Sequence, residues 1–384
     1  VIPDAVLQAM HRPSINIYEG EVIELTQGIL RDLRPVARTA ARPFIYIANG
    51  HGAWEAALTN TLSRGDTVLV LESGRFAVGW GEMARCMGVN IRTLNARPRA
   101  AVDPDAVEAA LRADVDRRIK AVLVVQIDTA SAVLNDIPAI RRAIDAAGHP
   151  ALFMVDVVAS QGCVPYEMDA WGVDVTVGGA QKGLMTPPGL AFCWANERAL
   201  AAEKTADLRT QYYSWEFRSG GEQYQNFCGT APIHLLFALR AALDLLMAEG
   251  IENAWTRHAA LARAVRAAVA AWAADGPLDF NIVDPAQRAD SVTTVLTGAA
   301  DAEGFRAFCR DRLGLVLGTG LGDFAGRSFR IGHMGWLNAP MVMGTLGAAQ
   351  AGLSACGIRF GAGALDAAAE VIAQHVATGA LKAA

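Results

Sequence analysis

Short apolar runs alternate with helical patterns through the first half of this 384-residue chain, and this alternation most constrains its fold. Each run has the length of a strand and carries few charges, as strands buried on both faces of a sheet do. Strands that alternate with helices form a mostly parallel sheet covered by helices. We therefore predict an α/β fold whose sheet contains Phe44–Ile47, Thr67–Leu71, Asn90–Leu94, Lys120–Val125, Ala151–Val155, Val173–Val177 and Leu190–Trp194.

The pattern changes in the second half of the chain. An amphipathic helix over Ile233–Ala248 ends at Gly250, a residue typical of helix C-caps, and an alanine-rich helix follows from about Glu252 to Trp272. From about Pro277 onward, strand patterns mix with helices, which favours a smaller α+β domain. We predict a large domain over residues 1–250 and a small C-terminal domain over residues 251–384.

One lysine lies in unusual surroundings. The chain has 30 arginines but only four lysines, and Lys182 is the one that lies in a glycine-rich stretch without other charges, Val177–Leu190. Burial of an ammonium group lowers its pKa toward the range in which the free amine is a nucleophile. Lys182 is therefore a candidate for a covalent bond to a carbonyl carbon. The alternative is a lysine that reaches solvent from a surface loop.

A carboxylate follows one of the predicted buried strands. Asp156 directly follows the predicted strand Ala151–Val155, and open α/β sheets bind ligands at the carboxyl ends of their strands. The chain between Asp156 and Lys182 has room for one more strand, so the two side chains emerge from neighbouring strand ends. This pair suits pyridoxal 5′-phosphate (PLP), because a lysine binds its aldehyde carbon and an aspartate pairs with its protonated ring nitrogen. Alternatively, Asp156 starts a turn or caps a helix.

A glycine-rich turn, Asn49-Gly-His-Gly52, separates a strand pattern from a helix pattern. Small residues let the backbone approach an anion, and a helix N-terminus adds free N–H groups and its dipole. The segment has the form of a phosphate site, although such a turn alone is a weak signal. His51 has no His or Cys partner at metal-ligand spacing, so we predict no metal site there.

Together these segments resemble the class V aminotransferases, which are fold-type I PLP enzymes, and especially the serine–glyoxylate, alanine–glyoxylate and aspartate–glyoxylate aminotransferases. The resemblance extends from Ile2 to about Gly357, and its most specific stretches are Asn49–Glu55, Trp171–Leu190, Leu317–Gly322 and Phe329–Gly335. It implies PLP as cofactor and a homodimer with the active site at the interface. It also implies ping-pong transamination between a small amino acid (serine, alanine or aspartate) and a 2-oxo acid, glyoxylate or pyruvate.

The resemblance implies catalytic and substrate-binding roles for four residues. Lys182 would form the internal aldimine and move the substrate's α-proton, and Asp156 would hold the ring nitrogen. Arg330 would bind the α-carboxylate of the substrate, a task that suits a planar guanidinium. Tyr18 lies in an early segment that is near the substrate in this family.

Further residues are implied to contact the cofactor. They pack on its ring, approach its phenolic oxygen or hold its phosphate, and one of them comes from a neighbouring subunit. Val158 and Phe76 would pack on the ring, and Thr129 would approach the phenolic oxygen. The residues that would hold the phosphate are Asn49, Gly50, His51 and Gln181, with Thr230 from the second subunit.

Three segments depart from the family pattern. The phosphate turn begins with Asn49 where relatives have Ser, and Asn16-Ile-Tyr18 replaces an Asp-His-Arg segment. Cys228 or Gly229 stands where a Tyr is expected before Thr230. These changes leave the cofactor residues in place but open the question of which substrate is used. The chain also begins just after a Pro-Gly-Pro stretch of its relatives, so we expect a few residues that help to close the site to be absent.

Three other functions are the alternatives to this interpretation. A sister aminotransferase with an unusual donor, of the pyridoxamine–pyruvate or ureidoglycine–glyoxylate type, stays open because of the altered segments. Another PLP reaction such as a lyase or desulfurase reaction is disfavoured, since desulfuration needs a loop cysteine and residues 318–326 contain none. A non-catalytic PLP-binding protein is disfavoured because Lys182 and Asp156 are both present.

Composition fits a cytoplasmic enzyme that acts on small molecules. The net charge is −5 and there is no basic stripe, so we expect no nucleic-acid partner. No apolar run has the length of a membrane span, and no signal peptide is visible. The six cysteines are scattered without a CxxC motif, which indicates reduced thiols.

Overall fold

The computed structural model describes residues 1–377 and 379, so that Lys382 and the last residues of the predicted small domain lie outside the described residues. Its strands are β1 (Pro43–Tyr46), β2 (Thr67–Glu72), β3 (Asn90–Asn95), β4 (Ile119–Val125), β5 (Ile127–Asp128), β6 (Val133–Leu134), β7 (Leu152–Asp156), β8 (Val175–Gly179), β9 (Ala191–Ala195), β10 (Asp279–Phe280), β11 (Val292–Leu296), β12 (Gly318–Thr319) and β13 (Ser328–Gly332).

Helices connect these strands and cover them. They are α1 (Asp4–Met10), α2 (Glu21–Ala37), α3 (Gly50–Thr61), α4 (Arg75–Cys86), α5 (Pro104–Arg112), α6 (Ile137–Ala146), α7 (Glu197–Glu203), α8 (Trp215–Arg218), α9 (Ile233–Glu249), α10 (Ile251–Ala273), α11 (Ala302–Leu313), α12 (Ala339–Ala355) and α13 (Ala364–Ala377). Short 3₁₀ helices lie at Gln223–Phe227, Pro285–Gln287 and Gly322–Phe324. None of the helices in this described part of the chain is long and apolar enough to cross a membrane.

The predicted mostly parallel sheet is confirmed. Seven strands lie in the order β1-β9-β8-β7-β4-β2-β3, and β8, β7, β4, β2 and β3 run parallel to one another. Strand β9 is antiparallel to both β1 and β8, so β1 points in the same direction as β8. The carboxyl ends of β1, β2, β4, β7 and β8 therefore meet at one edge of the sheet.

Helices pack on both faces of this sheet. Along β7, Phe153 and Val155 belong to a core with α2, α6 and α9, whereas Leu152 and Met154 belong to a core with α3 and α4. All four side chains are buried, which explains why the strand is a continuous apolar run in the sequence. The α/β architecture predicted from the alternation is thus confirmed.

The second sheet is small and antiparallel. Its strands lie in the order β10-β11-β13-β12, and α10 to α13 pack with it around a third core that contains Trp272, Val295 and Phe329. Gly250 is both the C-cap of α9 and the N-cap of α10, with φ of 86°. The domain boundary between residues 250 and 251 stays a prediction, and it falls at this sharp turn.

Candidate active site

Loops at the carboxyl edge of the large sheet enclose a cavity of about 190 Å³. The loop after β1 enters α3, the loop after β2 enters α4, and the turns after β5, β7 and β8 complete the wall. This is the edge at which α/β sheets bind their ligands. The residues that line the cavity are Asn49, Gly50, His51, Trp54, Phe76, Val125, Ile127, Thr129, Asp156, Val158, Ala159, Gln181 and Lys182.

The structure brings most of the predicted site residues together around this one cavity. The two predicted catalytic residues, Lys182 and Asp156, both line it. So do the predicted cofactor residues Asn49, Gly50, His51, Phe76, Thr129, Val158 and Gln181. Their individual roles stay predictions, but residues from five separate loops converge where the sequence placed one ligand.

Lys182 lies half-buried in the turn after β8. The Met185 N–H donates to the Lys182 carbonyl at 3.1 Å, and the Thr186 N–H donates to the Ala180 carbonyl at 3.2 Å, so the turn is closed on itself. Burial lowers the pKa of Lys182, and the positive charge of Arg330 lowers it further, against an opposing effect of Asp156. The Lys182 amine therefore loses its proton more readily than an exposed lysine does.

Asp156 ends β7 and is almost completely buried, with 3% of its surface exposed. Its Oδ1 accepts a hydrogen bond from the Val158 N–H at 2.7 Å, and its Oδ2 accepts one from Trp54 Nε1 at 2.5 Å. Burial raises the pKa of Asp156 to about 7, and the nearby Asp128 raises it while both hydrogen bonds and Lys182 lower it. A cation in the cavity would stabilise the carboxylate form.

Aromatic rings surround Asp156 on the α3 and α4 side. Trp54 stacks on Trp80 with ring centres 5.9 Å apart, and it contacts His51 at 4.5 Å and Phe76 at 6.4 Å. Burial lowers the pKa of His51, and the charge of Arg75 lowers it further, so this imidazole stays neutral at neutral pH. These rings give the cavity a wall that suits a flat aromatic ligand.

The loop between β1 and α3 fits a phosphate group. Asn49 caps α3 by accepting from the His51 N–H at 3.0 Å. Asn49, Gly50 and His51 line the cavity, so the N-terminus of α3 borders it. A side chain at position 50 would come within 2.8 Å of Val158, which explains why glycine stands there. The Gln181 Oε1 is buried without a hydrogen-bond partner among the described residues. An unpaired buried oxygen in the wall indicates that a ligand or water completes its bonding. With Lys182, Asp156 and the N-terminus of α3 around one cavity, the residues present fit PLP.

Asp128 fixes the loop that carries Phe76. Its Oδ2 accepts from the Phe76 and Ala77 N–H groups at 2.8 and 3.1 Å, and its Oδ1 accepts from the Ala130 N–H at 3.0 Å. It thereby caps α4 from a different strand, while Gly74, the helix's own N-cap residue, makes no side-chain cap. A Cβ atom at position 74 would meet the Asp128 carboxyl group at 2.4 Å, so only glycine allows this approach.

Arg330 lies next to the cavity on β13 but does not line it. Its Nη1 donates to the Thr129 carbonyl at 3.0 Å and its Nε donates to the Thr319 carbonyl at 2.7 Å. The side chain is half-buried, and burial lowers its pKa. Thr129 lines the cavity, and the charge of Arg330 lowers the pKa of Lys182, so the guanidinium lies near a ligand bound there. The contact of Arg330 with a substrate carboxylate stays a prediction.

Two predicted residues lie away from the cavity of this chain. Tyr18 is 63% exposed, and its backbone N–H donates to the Asn16 side chain at 2.9 Å. Thr230 is exposed beyond the 3₁₀ helix Gln223–Phe227. The predicted role of Thr230 requires a second subunit and stays a prediction.

Four residues of the wall are not predicted from the sequence: Trp54, Val125, Ile127 and Ala159. Trp54 lies one helical turn after Gly50 and hence on the same face of α3, so helical spacing from the phosphate turn could have identified it. Val125 and Ile127 flank the end of β4 and read only as strand residues in the sequence.

The chain matches the family described as "Aminotransferase class-V" over residues 18–323. It is 39% identical to a serine–glyoxylate aminotransferase of Methylorubrum extorquens over 96% of this chain and 92% of that protein. It is 36% identical to an L-aspartate–glyoxylate aminotransferase of Paracoccus denitrificans over 96% of this chain and 93% of that protein.

A solved structure has the same fold. The crystal structure of pyridoxamine–pyruvate aminotransferase from Mesorhizobium loti superposes with a TM-score of 0.88 at 28% identity, covering 97% of this chain and 95% of that chain. Family, relatives and fold agree with the resemblance that the motifs indicate.

Proposed function

This chain belongs to the class V aminotransferases, and we propose that it transfers the amino group of serine to glyoxylate. It is a PLP-dependent aminotransferase, and the choice of serine and glyoxylate as substrates is the proposal. The high identity to a serine–glyoxylate aminotransferase over nearly the full length supports this choice. The convergence of Lys182 and Asp156 on one cavity carries the chemistry.

When bound, PLP supplies an aldehyde carbon that condenses with amines and a ring that withdraws electrons from the substrate α-carbon. Lys182 would hold the cofactor through its Nζ, and the same amine, when it is free, would remove the α-proton of the substrate. The lowered pKa of Lys182 favours this step, because the free amine is the base. Asp156 would hold the ring nitrogen of the cofactor through its carboxylate and would favour the protonated form of that nitrogen.

Other residues of the cavity position the reactants. The N-terminus of α3, with Asn49, Gly50 and His51, would hold the phosphate together with Gln181; all four residues line the cavity. Val158 and Phe76, which line the cavity, would pack on the two ring faces and exclude water. Arg330 binds the α-carboxylate and so directs the α-hydrogen of the substrate toward Lys182.

We also propose a homodimer that acts in the cytoplasm. The exposed Thr230 and Tyr18 would then complete the site of the partner subunit or close its entrance. The six cysteines are all free, which supports a reducing compartment. Light scattering of the purified protein gives the oligomeric state, and fractionation of the source cells gives the compartment. A monomer that is fully active would contradict the role of Thr230.

A donor panel tests the proposed substrates. The PLP-loaded protein is incubated with serine, alanine, aspartate or pyridoxamine, and with glyoxylate or pyruvate as acceptor, and the new keto acid or aldehyde is quantified by chromatography. We expect serine with glyoxylate to give the highest kcat/KM and Lys182→Ala to give no turnover. Aspartate as the best donor would contradict the choice of serine without affecting the cofactor site.

A second candidate is the transfer from pyridoxamine to pyruvate. The similarity to the Mesorhizobium loti enzyme and the altered segment Asn16–Tyr18 favour it. Activity with free pyridoxamine, in the absence of any amino acid donor, is the outcome that would select it over serine–glyoxylate transamination.

A further inference from the structure

The hydrogen bond between Trp54 and Asp156 joins two buried side chains at the centre of the site. Trp54 is 2% exposed and Asp156 is 3% exposed, and the Nε1–Oδ2 distance is 2.5 Å. A short bond from a neutral donor to a carboxylate is among the stronger hydrogen bonds in proteins. The Val158 N–H holds the other carboxylate oxygen, so both oxygens of Asp156 are fixed in direction.

The carboxylate needs such donors because its surroundings disfavour its charge. Burial removes it from water, and the buried Asp128 of β5 adds a like charge, while Lys182 from the turn after β8 is the attracting cation. Burial lowers the pKa of His51 of α3, which disfavours a positive charge on this imidazole. Within the described residues, the ionised form of Asp156 therefore depends on Lys182 and on the two hydrogen bonds, and only one of these bonds comes from a side chain.

The geometry points to Trp54 as a positioning residue for Asp156. We propose that its indole N–H keeps the carboxylate ionised and directed into the cavity, where the ring nitrogen of the cofactor would lie. The inference rests on the proposed role of Asp156 as partner of that nitrogen. Removal of the donor makes the charged form less stable, so a higher pH is needed to restore cofactor binding.

Trp80 provides a matched control within the same cluster. It is buried and stacks on Trp54, but its own Nε1 has no hydrogen-bond partner among the described residues. Trp54→Phe and Trp80→Phe therefore remove the same atoms from adjacent rings, and only the first removes a donor to Asp156. A general packing defect would affect both variants, whereas the loss of the donor affects Trp54→Phe alone.

The first experiment uses the protein without PLP. Tryptophan is labelled with ¹⁵N, and the indole N–H resonances are followed between pH 5 and pH 9. We expect one resonance, absent from the spectrum of Trp54→Phe, to move with a midpoint near pH 7, and to stop moving in Asp156→Asn. No titrating indole resonance, or one that titrates equally in Asp156→Asn, would overturn the inference. If Trp54→Phe does not fold, Trp54→Tyr assigns the resonance instead, and the comparison with Asp156→Asn decides in both cases.

The second experiment measures PLP affinity of both variants by fluorescence quenching at pH 7 and pH 8.5. We expect Trp54→Phe to bind about tenfold more weakly at pH 7 and to recover in part at pH 8.5, since a hydrogen bond to a charged group is lost. Trp80→Phe should stay within about threefold of the wild type at both pH values. Equal affinities and equal pH dependence of the two variants would overturn the inference. A wild-type protein that binds no PLP would instead overturn the proposed cofactor residues, and the titration without PLP would still decide on Trp54.

Discussion

The substitution Asp128→Asn tests how the fold holds Phe76 over the site. Asp128 accepts from the N–H groups of Phe76 and Ala77 through one oxygen and from the Ala130 N–H through the other. Asparagine has one acceptor oxygen, and its NH₂ group faces N–H donors on the other side. In the less costly orientation, the amide oxygen keeps the hydrogen bonds from the Phe76 and Ala77 N–H groups. The buried Ala130 N–H then loses its acceptor.

The magnitude follows from these bonds. An unpaired buried N–H costs about 1–3 kcal/mol, and bonds to a neutral acceptor are weaker than bonds to a carboxylate. Relief of the buried charge offsets a part, because burial raises the pKa of Asp128, so we expect a net loss of about 2–3 kcal/mol. Unfolding entropy of about 2.1 cal/mol/K per residue gives about 0.8 kcal/mol/K for 384 residues. The melting temperature should therefore fall by about 3–4 °C.

The assay is scanning calorimetry of the protein without PLP, with Asp136→Asn as the matched control. Asp136 is an exposed N-cap of α6 that accepts from the Ala139 N–H at 2.9 Å, and asparagine caps a helix about as well as aspartate. We expect the control to change the melting temperature by less than about 1 °C. Equal melting temperatures of the two variants would refute the role of Asp128 as a buried cap.

Two further predictions concern a substrate contact and the acid limit of stability. Arg330→Lys should raise the KM for the amino donor about tenfold or more with a smaller change in kcat, because a guanidinium binds a carboxylate through two bonds. Steady-state kinetics measure both constants, with Arg327→Lys on the exposed surface as the control. Equal KM values of the two variants would contradict the role of Arg330. Burial lowers the pKa of His258 and of His333 to about 3, so both are neutral when folded and gain protons only on unfolding as the pH falls below about 6.5. The free energy of unfolding should therefore fall toward pH 5. His258→Gln should reduce the dependence of this free energy on pH by up to about 1.4 kcal/mol per pH unit. Urea titrations at pH 7.5, 6 and 5 measure this dependence, and an unchanged dependence in His258→Gln would contradict the prediction.

The fold followed from the sequence because strands that are buried on both faces must be apolar along their whole length. The runs at Phe44–Ile47 and Ala151–Val155 correspond to β1 and β7 to within a residue. The predicted strand Val173–Val177 begins two residues before β8, which starts at Val175. Asp174 makes side-chain bonds to the Phe153 N–H and to Arg198 there, and these bonds are not visible as a hydrophobic pattern. The antiparallel direction of β9 also lies outside the reach of a hydrophobic pattern.

The site is predictable from the sequence where the local context of a residue indicates its chemistry. A lysine without neighbouring charges and an aspartate at a strand end indicate the position of the cavity from the sequence alone. Trp54 and Asp128 were not identified, because their roles depend on partners 102 and 52 residues away in the chain. A tryptophan in an apolar helix face is usually a core residue, and only the fold shows that its N–H meets a buried carboxylate. The position of Arg330 beside Thr129 likewise depends on how the two sheets pack.

The most direct test of the central claim is to identify which lysine holds the cofactor. PLP is added to the purified protein, the reducible bond between cofactor and lysine is fixed with borohydride, and the labelled peptide is sequenced by mass spectrometry. We predict one labelled peptide, with the label on Lys182, and no label in Lys182→Ala. A label on Lys120 or Lys204, or an equal label in the wild type and in Lys182→Ala, would contradict the assignment of this cavity as the active site.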